Sequence, residues 1–238
     1  MTFKQRLGQW FFPRMPITRF LFDQLRVEAN ALYQMMANHF SPTRRRWLKD
    51  IRLSRNLRVN VACGPQILPD FVNLDLVPCH RDVLGWDCRW SLPMADETVA
   101  GIRAEQFVEH LEPREELPAF LKDCLRVLQP GGILRVIVPD AERYLQAYCR
   151  ADLSGFRELA VPDPFPEDLP TRMDIINHVF HQWSEHRWGY DFETLEHRLK
   201  VAGFCQIRRA AFRQSLDPKL ANDRDVHAPY SLYVEAVK

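Results

Sequence analysis

Two acids and two histidines set the chemistry open to this chain. Asp75 follows the apolar run 71–74, which is joined to an earlier run, 59–62, by a tight loop bearing Gly64. A carboxylate there can accept hydrogen bonds from both hydroxyls of a ribose, and a loop residue without a side chain lets a ligand lie against the backbone. Asp87 follows the run 83–86 and is the acceptor that an adenine amino group would need, or else the cap of the next turn. A further run, 99–104, delivers Glu105, Gln106, Glu109 and His110 together. In an open α/β sheet, residues just past the carboxyl ends of the strands line the ligand crevice. His110, and His186 far along the chain, are candidate bases, because an unperturbed imidazole titrates near neutrality.

Positioning these groups takes a parallel sheet, and a strand, a turn and a second strand ending in an acid is how nucleotide-binding sheets open. Only residues 65–70 separate the first two runs, fewer than the ~10–12 of an ordinary parallel crossover, so the first helix is expected to shrink to a turn or two. The clearest helix spans 113–128, where Leu117, Phe120, Leu121, Cys124, Leu125 and Leu128 form one stripe and Pro130-Gly131-Gly132 stops it. The run 133–138 reads as a strand covered on both faces. Asp191 caps a last helix that ends at Gly203, and the runs 204–209 and 231–237 close the fold around a loop with Asp217, Asp223, Asp225 and His227.

The net charge of +1 hides an asymmetry: residues 1–58 hold 12 Lys/Arg against 3 Asp/Glu, a net of +9, which leaves −8 for the remainder. The expected organisation is a basic helical N-terminal extension, 1–56, on a domain of residues 57–238. Trp10, Phe11, Phe12, Arg14, Arg19, Phe20 and Phe22 mix aromatics with bases. From Thr18, a plausible N-cap, Leu21, Leu25, Leu32 and Met35 share one helical face, and Ser41-Pro42 starts a second helix with Arg44, Arg45, Arg46, Trp47 and Lys49. Three readings are open for this extension: a helical cover over a sheet edge, a surface for anionic lipid or an acidic partner, or nucleic-acid binding. No nucleic-acid module is recognisable, so no nucleic-acid partner is expected. Six cysteines without a CxxC pair, no signal peptide and no apolar run near the ~20 residues of a membrane span point to the cytoplasm, with peripheral contact at the inner face of the membrane through residues 1–56.

The run 91–140 resembles the second half of a class I S-adenosylmethionine-dependent methyltransferase of the type-11 group, through Glu109-His110-Leu111 and Leu128-Gln129-Pro130-Gly131-Gly132. The similarity covers 57–140 and resumes in the ending SLYVEAVK. It implies a Rossmann-like α/β sheet of seven strands, the last antiparallel and inserted beside the fifth, with S-adenosyl-L-methionine as cofactor. On that resemblance Ala62, Cys63 and Gly64 contact the methionine part, Asp75 the ribose and Asp87 the adenine, with Leu76 and Cys88 beside them. Glu105 and Gln106 would lie near the sulfonium. The loop departs from the family in having one glycine where relatives have two or three. Members of the group occur with glycan assembly enzymes, which implies a small-molecule or glycan acceptor, such as a sugar hydroxyl of a cell-surface or lipid-linked glycan.

Residues 151–190 form a lid-like insert, with prolines at 162, 164, 166 and 170. After its prolines come His178, His181, Trp183, His186, Trp188 and Tyr190, of which His181, Trp188 and Tyr190 are candidates for lining a substrate pocket. His178, His181 and Glu185 share a helical face, but no fourth ligand is evident and no metal is expected. Two rival functions stand beside methyl transfer. One is a catalytically inactive cofactor-binding interaction module. The other is a nicotinamide-dependent oxidoreductase, which should show a three-glycine loop that this chain lacks.

Overall fold

The computed structural model describes residues 17–150, 153–159 and 169–238. Trp10, Phe11, Phe12, Arg14 and the prolines at 162, 164 and 166 lie outside them. Helices α1 (Arg19–Phe40) and α2 (Pro42–Leu53) precede strands β1 (Leu57–Val61), β2 (Val72–Asp75), β3 (Val83–Gly85) and β4 (Val99–Glu105). Then come α3 (Glu116–Val127), β5 (Leu128–Pro139), α4 (Ala141–Tyr148), α5 (Ser154–Leu159), α6 (Arg172–His181), α7 (Phe192–Ala202), β6 (Cys205–Ala210) and β7 (Ser231–Val237). The sheet order is β3-β2-β1-β4-β5-β7-β6, parallel from β3 to β5, with β7 antiparallel between β5 and β6. Seven strands with a seventh inserted antiparallel beside the fifth is the arrangement that the resemblance implies.

One face of the sheet is apolar. Val59, Val61, Leu74, Ile102, Ala104, Leu134, Val136 and Val234 are buried there with Leu117, Phe120, Leu121 and Cys124 of α3 and Leu195 and Leu199 of α7. The opposite face is not. Directly paired residues point to the same side of a sheet, and the pairing Asn73, Asn60, Arg103, Arg135, Glu235, Arg208 runs as one polar row across six strands. The run 133–138 is covered on both faces as expected, but on one of them the cover is polar, with Arg135 fully buried there.

No helix joins β1 to β2. Residues 62–71 form turns only, so no helix from this connection covers that face. The segment between β6 and β7 contributes its cover: Asp223 holds Arg135 at 2.5 Å, beside Glu235 of β7 at 3.0 Å, Asp217 holds Arg58 at 2.7 Å, and Leu220 lies over Gly101. Asn73 braces the shortened turn by accepting from the Leu68 N–H at 3.0 Å and donating to the Leu68 carbonyl at 2.9 Å.

Helix α3 begins three residues later than its stripe suggests, because the Glu112 carboxylate accepts from the N–H groups of Arg114 and Glu115, both at 2.7 Å. Its end runs directly into β5, and Pro130-Gly131-Gly132 falls inside a register shift of that strand rather than after the helix.

Helix α1 starts at the expected Thr18 cap and α2 at Ser41-Pro42, but α1 is inverted relative to its pattern. Leu21, Leu25, Leu32 and Met35 are exposed, whereas Gln34 and Asn38 on the opposite side are buried. Their amides donate to the Leu76 and Gly85 carbonyls at 3.1 and 2.8 Å, satisfying backbone groups at the ends of β2 and β3. A Cβ on Gly85 would come within 2.0 Å of Gln34 Oε1.

Two stability measurements check this. Asp223→Ala leaves Arg135 buried with one acid fewer and is expected to cost about 3–5 kcal/mol in chemical denaturation. Gly85→Ala should cost about 1–3 kcal/mol by displacing Gln34, and a Gln34→Ala background should remove most of that cost in a double-mutant cycle.

Candidate functional site

The carboxyl ends of β3, β2 and β4 and the loop after β1 open into one cavity of about 350 Å³. Ala62, Asp75, Leu76, Trp86, Asp87 and Cys88 line its floor, and Phe107, His110 and Leu111 its β4 side. Its roof is α1, through Phe20, Gln24, Val27 and Glu28, together with Ser184, Glu185 and Arg187 from the end of the insert. Arg187 donates to Gln24 at 2.5 Å and stacks over Phe20. The N-terminal extension is therefore part of the cavity, not an appendage beside it.

The two acids lie together. Asp75 Oδ2 accepts from Gly64 N–H and Oδ1 from Val77 N–H, each at 2.8 Å, which fixes the loop against the strand end and leaves the carboxylate further lone pairs. Ala62 and Gly64 are both left-handed, with φ of 49° and 51°, and a Cβ on Gly64 would meet nothing within 4 Å. A non-glycine residue in that conformation stores backbone strain of the kind that collects at ligand sites.

Asp87 is engaged. Arg89 chelates it, with Nη2 to Oδ2 at 2.8 Å and Nε to Oδ1 at 3.0 Å, and also reaches Glu28 of α1 at 2.7 Å and Glu116 of α3 at 3.3 Å. Hydrogen bonding to Asp87 first and Glu28 next raises the Arg89 pKa. The acid read as facing an adenine thus holds a cation that ties the roof to the floor. Arg89 and Glu28 escaped the sequence reading, since neither lies at a strand end.

Other expected residues fall elsewhere. Cys63 does not line the cavity, and burial, followed by the charge of Asp75, pushes its thiol up to about 12. Burial also raises Cys88 well above the usual thiol range, so both are protonated near neutrality. Glu105 points into the polar face, paired with Arg103 and accepting from His227 Nδ1 at 2.8 Å. Burial acts to raise its pKa, but His227 and Arg103 together hold it below the usual carboxylate range. Gln106, at φ 52°, donates to Ser231 Oγ at 3.1 Å. Neither residue lines the cavity, so both expectations of contact near the sulfonium are corrected: the polar face captures these side chains.

Tyr190 is wholly buried in the main core, and its backbone pairs with Asp140. His181 is exposed at the end of α6, and Trp188 is about half exposed beside a small void lined by Glu109 and His186. None of the three substrate-pocket candidates lines the main cavity. Ile175, Ile176 and Val179 of α6 pack with Tyr144, Ala147, Phe156 and Leu159 in a second core, so the described part of the insert is a packed helical unit whose end lines the cavity through Ser184, Glu185 and Arg187.

The two histidines do meet. His110 and His186 lie ring to ring at 4.8 Å, edge to face. His110 Nδ1 faces the Glu185 carbonyl at 3.0 Å and His186 Nδ1 the Val179 carbonyl at 2.6 Å. A carbonyl oxygen can only accept, so each Nδ1 carries the proton and each Nε2 keeps its lone pair. Burial lowers the pKa of both, that of His186 to about 4 with the help of neighbouring imidazoles, so the pair is neutral near pH 7. Glu109 completes the group: its carbonyl accepts from Arg187 N–H at 2.7 Å, which brings His186 alongside, and both carboxyl oxygens are buried without a hydrogen bond. Burial first, then the charge of Glu105, pushes its pKa up to about 8.

No family model and no curated protein matches this sequence. Among solved structures it is similar to a SAM-dependent methyltransferase from Archaeoglobus fulgidus, at 16% identity over 88% of this chain and 94% of that one, with a TM-score of 0.47. A SAM-dependent methyltransferase from Aquifex aeolicus shares 15% identity over 89% and 97% of the two chains, at a TM-score of 0.43. The 1,6-didemethyltoxoflavin-N1-methyltransferase of Burkholderia thailandensis, solved with S-adenosylhomocysteine, shares 10% over 94% and 92%, at 0.44. The fold is that of the class I methyltransferases. Its basis here is the strand order with the inserted antiparallel β7, not those scores.

Proposed function

We propose that this chain transfers a methyl group from S-adenosyl-L-methionine to an acceptor hydroxyl bound beside His110. The single observation that carries the reading is the meeting of Asp75, Leu76 and Ala62 in one cavity with His110 at its side, at the carboxyl ends of the strands. The cavity volume suits a nucleoside-sized ligand. Asp75 would take the ribose, the left-handed turn at Ala62 and Gly64 the methionine tail, and Leu76, Trp86 and Phe107 the adenine faces. Because Arg89 occupies Asp87, the adenine amino group has no free acid there.

The sulfonium methyl is already activated, so catalysis consists mainly of holding acceptor and cofactor in line. A hydroxyl must also lose its proton as the bond forms. The neutral His110 imidazole, with a free Nε2, suits that need. Calorimetry should show binding of S-adenosylhomocysteine and none of NAD. Asp75→Ala should weaken the former about tenfold or more, given the ~1.5–3 kcal/mol of a hydrogen bond to a charged group. His110→Ala should lower turnover by roughly 10²–10⁴ with cofactor affinity nearly intact. Binding of neither ligand leaves an interaction module.

A second feature bears on where the acceptor is met. The outward stripe of α1, with Leu32 54% and Met35 62% exposed, stands beside Arg45, Lys49 and Arg52 of α2. Apolar side chains flanked by bases suit an anionic bilayer surface, and a sugar hydroxyl on a lipid-linked glycan would meet both requirements. Because α1 roofs the cavity, deleting residues 1–56 would confound the test. An Arg45→Glu/Lys49→Glu/Arg52→Glu variant should instead lose sedimentation with phosphatidylglycerol vesicles that the parent shows. Equal behaviour of the two proteins discards membrane contact.

A further inference from the structure

We infer that Glu109, His110 and His186 form a binding site for one divalent cation of the zinc class. Their ligand atoms all lie within 4.8 Å of one another. Two imidazoles and one carboxylate are a donor set that such ions take, with positions left for water or a substrate oxygen.

Three features of the group go beyond proximity. Both imidazoles are turned the same way, Nδ1–H to a backbone carbonyl and Nε2 free. That is the outer support by which metal-binding histidines are held and their tautomer fixed. Glu109 is 1% exposed, and neither carboxyl oxygen has a hydrogen-bond partner. Burying such a group unpaired is costly, and a cation is the partner that would offset the cost of its ionised form. The chain also brings these residues together deliberately: the Glu109 carbonyl accepts from the N–H groups of both Arg187 and Trp188, at 2.7 and 3.3 Å, and so clamps the turn that carries His186. Ligands about 2.0–2.2 Å from a zinc ion sit roughly 3.3 Å apart, a closing that side-chain rotation can make.

His110 also lines the main cavity, so an open coordination position would face the acceptor. The ion would then replace the imidazole as the group that favours a deprotonated acceptor oxygen. That use of the ion rests on the methyl-transfer reading; its binding does not.

The test is titration of tag-free, chelator-treated full-length protein with Co²⁺, read by visible absorption and calorimetry without cofactor. The expected result is one equivalent bound, with the intense d–d bands of a low-coordinate site. Glu109→Gln and His186→Ala should each weaken binding by at least about 100-fold, the upper end of what losing a mere supporting contact costs. His197→Ala, outside the group, should not. Zn²⁺ should raise the melting temperature of the parent but of neither ligand variant, a readout that also shows whether those variants are folded. Absence of stoichiometric binding by the parent overturns the proposal, as does unchanged affinity in both ligand variants. S-adenosylhomocysteine binding, measured separately, reports on the methyl-transfer reading whatever the metal result.

Discussion

A sheet must cover both faces, and this one does so with unequal materials. The connection between β1 and β2 is too short for a helix, so one face lacks the amphipathic cover that a parallel crossover normally brings. What lies over it instead is an irregular segment whose own backbone needs hydrogen-bond partners. A polar row from Asn73 to Arg208 supplies them. Arg135 donates to the Ala211 and Gln214 carbonyls, and Arg103 to that of Asn222. Arginine suits this task, because its planar fork serves several acceptors at once and stays charged. The acids Glu105, Asp223 and Glu235 then offset the two guanidiniums that the pairing of β4 with β5 sets side by side. The charge layer follows from the missing helix, and it costs the site Glu105, drawn away from the cavity.

The same economy shapes the roof. Strands β2 and β3 end in carbonyls that no helix of the shortened first unit can reach, and α1 lays its amide side chains on them rather than its leucines. Helix amphipathicity ordinarily predicts the reverse. Here the hydrogen-bond demand of two strand ends outweighs the burial of a stripe, since an orphaned backbone acceptor in a buried place costs about 1–3 kcal/mol. Turning the polar side inward leaves the apolar side outward, so one choice makes both the closed cavity and the exposed stripe.

Most of the fold was legible because it depends on patterns of short range. The caps at Thr18 and Ser41, the α3 stripe, the strand end at Asp75 and the acid Asp87 just past β3 all show as residue types at fixed spacing. The β7 insertion was legible only through resemblance. What hid was long-range. Arg103 and Arg135 look like interruptions in apolar runs until pairing places them in one row. Glu105 and Asp75 look alike as acids at strand ends and, two residues past Arg103 and Asn73 of the polar row, face the same side; their strands separate them, Glu105 of β4 lying under the β6–β7 segment and Asp75 of β2 at the cavity. Tyr190 sits in an aromatic cluster by sequence and in the main core by structure, because its backbone pairs with Asp140. His186 shared nothing in sequence with Glu109; the backbone bonds of residues 187 and 188 to Glu109, and the bond of the His110 ring to the Glu185 carbonyl, bring them together.

The roof is fastened unevenly, and this bears on how a ligand reaches the cavity. Toward its carboxyl end α1 is held by Gln34 and Asn38, both buried and bonded to strand carbonyls. Toward its start it is held by Glu28 on Arg89 and Gln24 on Arg187, with Glu28 largely exposed. Exposed ion pairs contribute at most about 1 kcal/mol, whereas breaking the buried amide bonds would strand acceptors at two strand ends. The lightly held end lies over Asp87 and the turn at 184–187, so the easier way in passes between the first turns of α1 and that turn. Arg187, bonded to Gln24 and stacked over Phe20, bridges that gap, and Arg89, chelated by Asp87, ties Glu28 of the following turn to the cavity floor.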